Sequence, residues 1–208
     1  MNCRTKLIKI KMNKFKLTHE HILAISLILI ASISRLFPLL PNFQPIMGIA
    51  LFAGSIFASN KKFAFAIPLL AMLISDTILS LFSLNLFGYY AGFHDTILFV
   101  YLSFALVVFL GIKFTKSDNI LSVLIGSISG SIIFFIITNF AVWIFGIGID
   151  GLPYTKSISG LMSCYIAAIP FFKNTLLSSV LYSFALFTSY NLASKYILKP
   201  ILNRIDKH

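Results

Sequence analysis

Residues 35–45, RLFPLLPNFQP, stand between two apolar runs, LAISLILIASIS at 23–34 and IMGIALFAGSIF at 46–57. An arginine, three prolines, an asparagine and a glutamine are an unusual way to join two hydrophobic segments. Pro38, Pro41 and Pro45 forbid a continued helix and hold the chain extended. Carbonyls freed in this way need donors, and the side-chain amides of Asn42 and Gln44 offer donors and acceptors alike. Irregular backbone at membrane depth is tolerated only against protein or a water-filled cavity. The stretch therefore separates two helices and predicts a preformed, outward-facing pocket, with a merely capped loop as the alternative.

Outward from this stretch the chain is greasy throughout. Of its 208 residues, 58% are hydrophobic and 11% charged, whereas a soluble domain carries about 25% charged residues. Apolar residues gathered into long runs point to a membrane-embedded protein. Six segments have the required character: 20–36, 45–59, 63–85, 96–113, 120–145 and 171–195. Residues 157–169, SISGLMSCYIAAI, are too short to span and predict an interfacial or re-entrant helix, broken at Pro170, before the last span. The expected fold is an all-α integral membrane bundle of six transmembrane helices over 20–195, with basic tails at 1–19 and 196–208. The first run follows a basic lead, as in a signal peptide. That lead is long, however, and the run ends in SISRLFP without a small-residue cleavage pattern, so the reading is a retained helix.

The net charge of +11 is placed for topology rather than for nucleic acid. Fourteen of the 17 Lys and Arg residues fall in the tails and in the second and fourth connections. Only Arg35, Lys156 and Lys173 fall on the other side. The positive-inside rule then places both termini in the cytoplasm, which requires an even number of spans. Small residues at four-residue spacing (Ala50, Gly54, Ala58 and Ser122, Gly126, Gly130) predict close helix packing, within the chain or against a partner.

Polar groups inside hydrocarbon need partners and are candidates for function. Asp76, midway along the third span, can pair with Arg35, contact a ligand or relay protons. Its structural alternative is a buried pair that fixes helix packing. Tyr89 lies in the third connection, NLFGYYAGFHDT, with Asn85, Tyr90, His94 and Asp95. Asn139 and Trp143 lie one turn apart in the fifth span, and Phe172 and Asn174 begin the last. Aromatics here suit either a solute ring or the ordinary interfacial belt. Cys3 and Cys164 are far apart and have no ligand-type neighbours. No metal-spaced cluster, phosphate loop or nucleophile motif occurs, so neither enzyme activity nor a metal or cofactor is expected.

Three stretches, RLFPLLPNFQPIMGIALFAGSIF, PLLAMLISD and YIAAIPFFKNTL, resemble a family of bacterial integral membrane proteins of unknown function described only as transport proteins. That family is similar to the substrate-binding S-components of energy-coupling factor (ECF) transporters. The resemblance covers about residues 25–195. It implies a six-helix protein of the bacterial cytoplasmic (inner) membrane that captures a vitamin-like solute on its outer side. It further implies a separate coupling protein and ATPases as partners. The positions matching the family pattern are Arg35, Asn42, Pro45, Asp76, Asn139, Pro170 and Asn174. S-components carry an alanine-rich docking motif in the first helix, whereas this chain has only scattered Ala24, Ser26, Ala31 and Ser34.

The expected function is capture of a small polar or aromatic solute. Arg35 would anchor an anionic group and Asp76 would orient Arg35 or bind a donor. Asn42, Gln44, Asn139 and Asn174 would read hydrogen-bonding groups, and Tyr89, Trp143 and Phe172 would stack on a ring. Two alternatives are a proton-coupled secondary transporter acting alone, with Asp76 as carrier, and a non-transporting assembly protein.

Overall fold

The computed structural model describes residues 19–37, 40–148 and 151–195. The basic tails beyond those limits, and with them Cys3, Pro38 and Asp150, lie outside the described residues. Six α-helices form the described chain: α1 (His19–Leu36), α2 (Ile46–Ile56), α3 (Lys61–Phe87), α4 (Ile97–Phe114), α5 (Ile120–Phe145) and α6 (Ile158–Ala193). No strand occurs among the described residues, only an isolated bridge between Ile147 and Pro153.

The helix ends follow local chemistry. Asn119 and Ser157 cap α5 and α6, accepting from the backbone N–H of Ser122 and Gly160, as short polar side chains do at helix starts. Gly88 ends α3 in the left-handed conformation at φ 75°, where glycine avoids a Cβ penalty.

Four helices, α3 to α6, are long and apolar enough to cross a membrane, whose hydrocarbon core is about 30 Å thick. Large side chains such as Ile30, Leu81, Leu98 and Ile166 point out of the bundle, as expected where the surroundings are lipid. The chain is a helical membrane protein. The expectation of six spans, the second of them short, differs from the structure in two respects. α1 has only a short apolar portion, Ile22–Leu36, and α2 has 11 residues, or roughly 17 Å of helix. The turns on either side of α2 use up the segment: residues 40–45 before it, and Phe57–Ser59 after it.

The second correction concerns Pro170. No break separates residues 157–169 from a last span; α6 runs unbroken for 36 residues through Pro170. Proline removes a hydrogen bond but does not end a membrane helix whose remaining backbone bonds have no better partner in lipid. α6 is held along its length by α5, through Tyr165 donating to Ile136 O at 2.7 Å and Ser179 donating to Ser127 O at 3.3 Å. At roughly 54 Å it exceeds the bilayer core and lines both the bundle and its rim.

The short α2 is the hub of the bundle. Every residue from Ile46 to Gly54 is buried, and the helix packs against α3, α4 and α6. Small residues make this possible. A Cβ on Gly54 would lie 2.2 Å from Val108 O, and one on Gly111 would lie 2.4 Å from Leu51 O, so the α2 and α4 backbones touch there. Gly126 and Gly130 of α5 are likewise buried. The expected stripes thus serve packing inside the chain.

Gly54→Ala or Gly111→Ala should force α2 and α4 apart and cost about 1–3 kcal/mol, seen as a lower melting temperature in detergent. Gly130→Ala should be milder, because its methyl would meet only the Val107 side chain at 3.3 Å. Equal tolerance of all three would contradict the close approach.

Candidate functional site

Three helices converge on Asp76. Arg35, in the last turn of α1, donates from Nη2 to Asp76 Oδ1 at 2.6 Å, and Tyr101 of α4 donates its hydroxyl to Asp76 Oδ2 at 3.0 Å. The carboxylate is 2% exposed and Arg35 is 17% exposed. A buried ion pair is tolerable only when its remaining lone pairs are also satisfied, and Tyr101 supplies the donor that Arg35 leaves unanswered. Arg35 Nη1 is buried and has no partner among the described residues.

The opening stretch folds into a turn beside this pair. Phe43 N donates to Leu40 O at 3.1 Å, with Pro41 and Asn42 at the corners. Asn42 has φ 58°, the left-handed region that asparagine tolerates better than other side-chain-bearing residues. Proline followed by a positive-φ residue is the signature of a type II turn. Asn174 of α6 donates from Nδ2 to Pro41 O at 2.9 Å, which pins the turn to the last helix. Its ring contact between Phe43 and Tyr182, 5.9 Å between centroids, fixes the same corner.

The 88–96 connection is tied to α3 at the turn that carries Asp76. Ser80 Oγ donates to Asp76 O at 2.8 Å and accepts from Phe93 N at 3.2 Å, while Ser83 Oγ accepts from Ala91 N at 2.8 Å. Gly92, at φ 121°, lies where a Cβ would be 2.3 Å from Ser80 Oγ. His94, exposed in this connection, has its Nδ1 3.0 Å from Thr96 Oγ1.

Between these elements lies a cavity of two adjoining compartments. The first, about 210 Å³, is lined by Arg35, Asn42, Gln44 and His94, with Met47, Met72, Phe104 and Phe134 among its apolar walls. The second, about 230 Å³, is lined chiefly by Phe134, Phe135, Phe171 and Phe172, with Thr138 and Asn139. Asn42, His94, Val100, Phe134 and Thr175 belong to both walls. Both compartments mix polar and aromatic walls. The guanidinium stands in the first, the polar compartment, four phenylalanines stand in the second, the aromatic one, and His94 and Asn42 belong to both. Together they have the size and the mixture of apolar walls with few polar groups that small-molecule sites show.

The expected site residues divide into three groups. Arg35, Asn42 and Gln44 share the polar compartment, and Asn139 and Phe172 the aromatic one. Asp76 and Asn174 stand behind the wall, holding Arg35 and the Pro41 turn respectively. Tyr89 and Trp143 line neither compartment. Tyr89 is exposed and stacks on Phe87. Trp143 donates from Nε1 to Thr155 O at 2.9 Å, and the Lys156 ammonium donates to Trp143 O, closing the connection into α6. Tyr101, Thr175 and the phenylalanine walls were not distinguishable in the sequence from ordinary helix-packing residues.

Fold and cavity define a class, a helical membrane protein with a partly open, solute-sized cavity toward one end of the bundle. The chain belongs to a family of unknown function, DUF6580, which matches residues 15–201. No curated protein and no solved structure matches it.

Asn174→Asp keeps the shape but removes the donor to Pro41 O, and it should lower stability by about 1–3 kcal/mol. Asn42→Val, which places a β-branched residue at φ 58°, should cost about 1–2 kcal/mol, whereas Asn42→Gly should be tolerated. Thermal unfolding in detergent checks all three. An unchanged Asn42→Val variant would contradict the turn geometry.

Proposed function

We propose that this protein captures a small solute in the two-compartment cavity and serves membrane transport. The observation that carries the reading is the make-up of the cavity: one guanidinium and the amides of Asn42, Gln44 and Asn139 stand among phenylalanine rings. A merely structural buried pair needs no void beside it. Here Arg35 lines a void and keeps one buried nitrogen without a protein partner.

In this reading both termini lie in the cytoplasm and the cavity opens on the outer face of the bacterial inner membrane. The lysine and arginine distribution supports that orientation. All six helices then count as crossings, with the 40–45 stretch and the short α2 together making up one of them. The resemblance to S-components of ECF importers suggests a coupling membrane protein and ATPases as partners. The proton-coupled alternative is less well supported. Asp76 has both oxygens engaged by Arg35 and Tyr101 and does not line the cavity, which suits a fixed anchor better than a proton carrier.

The test is thermal stabilisation of the purified protein against a panel of vitamins, nucleobases and their precursors, since a ligand that binds only the native state stabilises by mass action. At least one solute should raise the melting temperature of the parent. Gln44→Ala and Phe172→Ala, one in each compartment, should both weaken that shift. A panel without a hit, or a hit indifferent to both substitutions, would count against capture at this cavity and favour the assembly-protein reading.

A further inference from the structure

The charge arrangement of the cavity restricts what can enter it. Among the described residues lining either compartment, Arg35 is the one with a permanent charge, and no acidic residue lines either wall. That positive charge is already answered at 2.6 Å by Asp76, whose second oxygen is held by Tyr101. The wall therefore presents donors without excess charge. A cation would find no carboxylate on the wall. An anion would carry an uncompensated charge in among five phenylalanines and other apolar walls, and such burial is strongly unfavourable.

The polar compartment offers a complementary set to something uncharged. Arg35 lines this compartment and brings only donors to it, its unpartnered Nη1 being itself fully buried. Thr175 and Ser178, on the same wall, spend their hydroxyl protons on Phe171 O at 3.1 Å and Thr175 O at 3.0 Å, which leaves their oxygens able to accept. The Asn42 and Gln44 amides can do either. A carbonyl beside an N–H matches this set, and a planar ring continues from it into the phenylalanine compartment.

From this we infer that the captured solute is neutral: a planar aromatic or heteroaromatic ring bearing an amide-like group, carbonyl toward Arg35 and ring between Phe134, Phe135 and Phe172. The anionic group expected at Arg35 is not part of this inference, because Asp76 already answers that charge. This inference rests on the capture reading above and names the solute class for that same site.

Benzamide, benzoate and benzamidine share one ring and one planar substituent and differ in charge, so their affinities for the full-length protein in detergent, measured by calorimetry at millimolar concentrations, form the test. Benzamide should bind at least about tenfold tighter than either ion. Two variants should change the order. Asp76→Asn leaves the Arg35 charge unanswered and should bring benzoate ahead of benzamide. Gln44→Glu, on a half-exposed loop position, adds a wall carboxylate and should bring benzamidine up, which keeps the test decisive if Asp76→Asn does not fold. Benzoate or benzamidine binding the parent as tightly as benzamide would overturn the neutral-solute inference while leaving capture standing. Binding of none of the three would also overturn it, and capture itself would fail only if the wider panel were silent too.

Discussion

The buried contact of Arg35 with Asp76, completed by Tyr101, is the constraint around which the cavity end of the bundle is arranged. It joins α1, α3 and α4 at one point, where removing a single partner leaves an uncompensated charge and costs about 3–5 kcal/mol. α1 needs this tie more than any other helix, because it packs almost wholly on α3. A further side-chain bond from α1 to α3 is Ser32 Oγ donating to Ala71 O at 3.1 Å. Packing of Ala24, Leu27 and Ala31, all buried, supplies the remainder. The ion pair is therefore a clasp, and its Arg35 is also part of the cavity wall.

The short second helix is the other half of this arrangement. Because α2 begins only at Ile46, the chain before it runs as an irregular stretch beside the cavity, exposed at residues 40–42, and that stretch carries Asn42 and Gln44. A continuous helix in its place would fill the space that the cavity occupies. Close approach of Gly54 to Gly111 draws α2 into the centre, so small residues at the packed end permit a void at the polar end. Packing and cavity are in this sense one design.

Much of this was legible in the sequence because apolar runs, prolines and isolated charges are strong local signals in a membrane chain. α5 matches its expected limits, and the Pro-rich stretch does separate α1 from α2. Arg35 and Asp76 were visible as costly residues, though not that Tyr101 is their third member, since a tyrosine in an apolar helix looks like ordinary packing. Pro170 misled for a physical reason: proline ends helices in water, where freed carbonyls are solvated, but α6 passes through it against α5. Tyr89 and Trp143 could not be assigned by type, because an aromatic at an interface looks the same whether it faces a solute, lipid or a neighbouring loop. The walls of Phe134, Phe135 and Phe171 became readable only once three helices were placed together.

The most direct measurement of the central claim separates the clasp from the site by replacing the whole cluster at once with apolar residues of similar shape, Arg35→Met with Asp76→Leu and Tyr101→Phe. Buried charge networks replaced as a unit are often neutral for stability, so the melting temperature should stay near that of the parent. Solute-dependent stabilisation in the same protein should disappear. A folded triple variant that still responds to the same solute would contradict the account, because the buried pair would then be scaffolding with no part in capture.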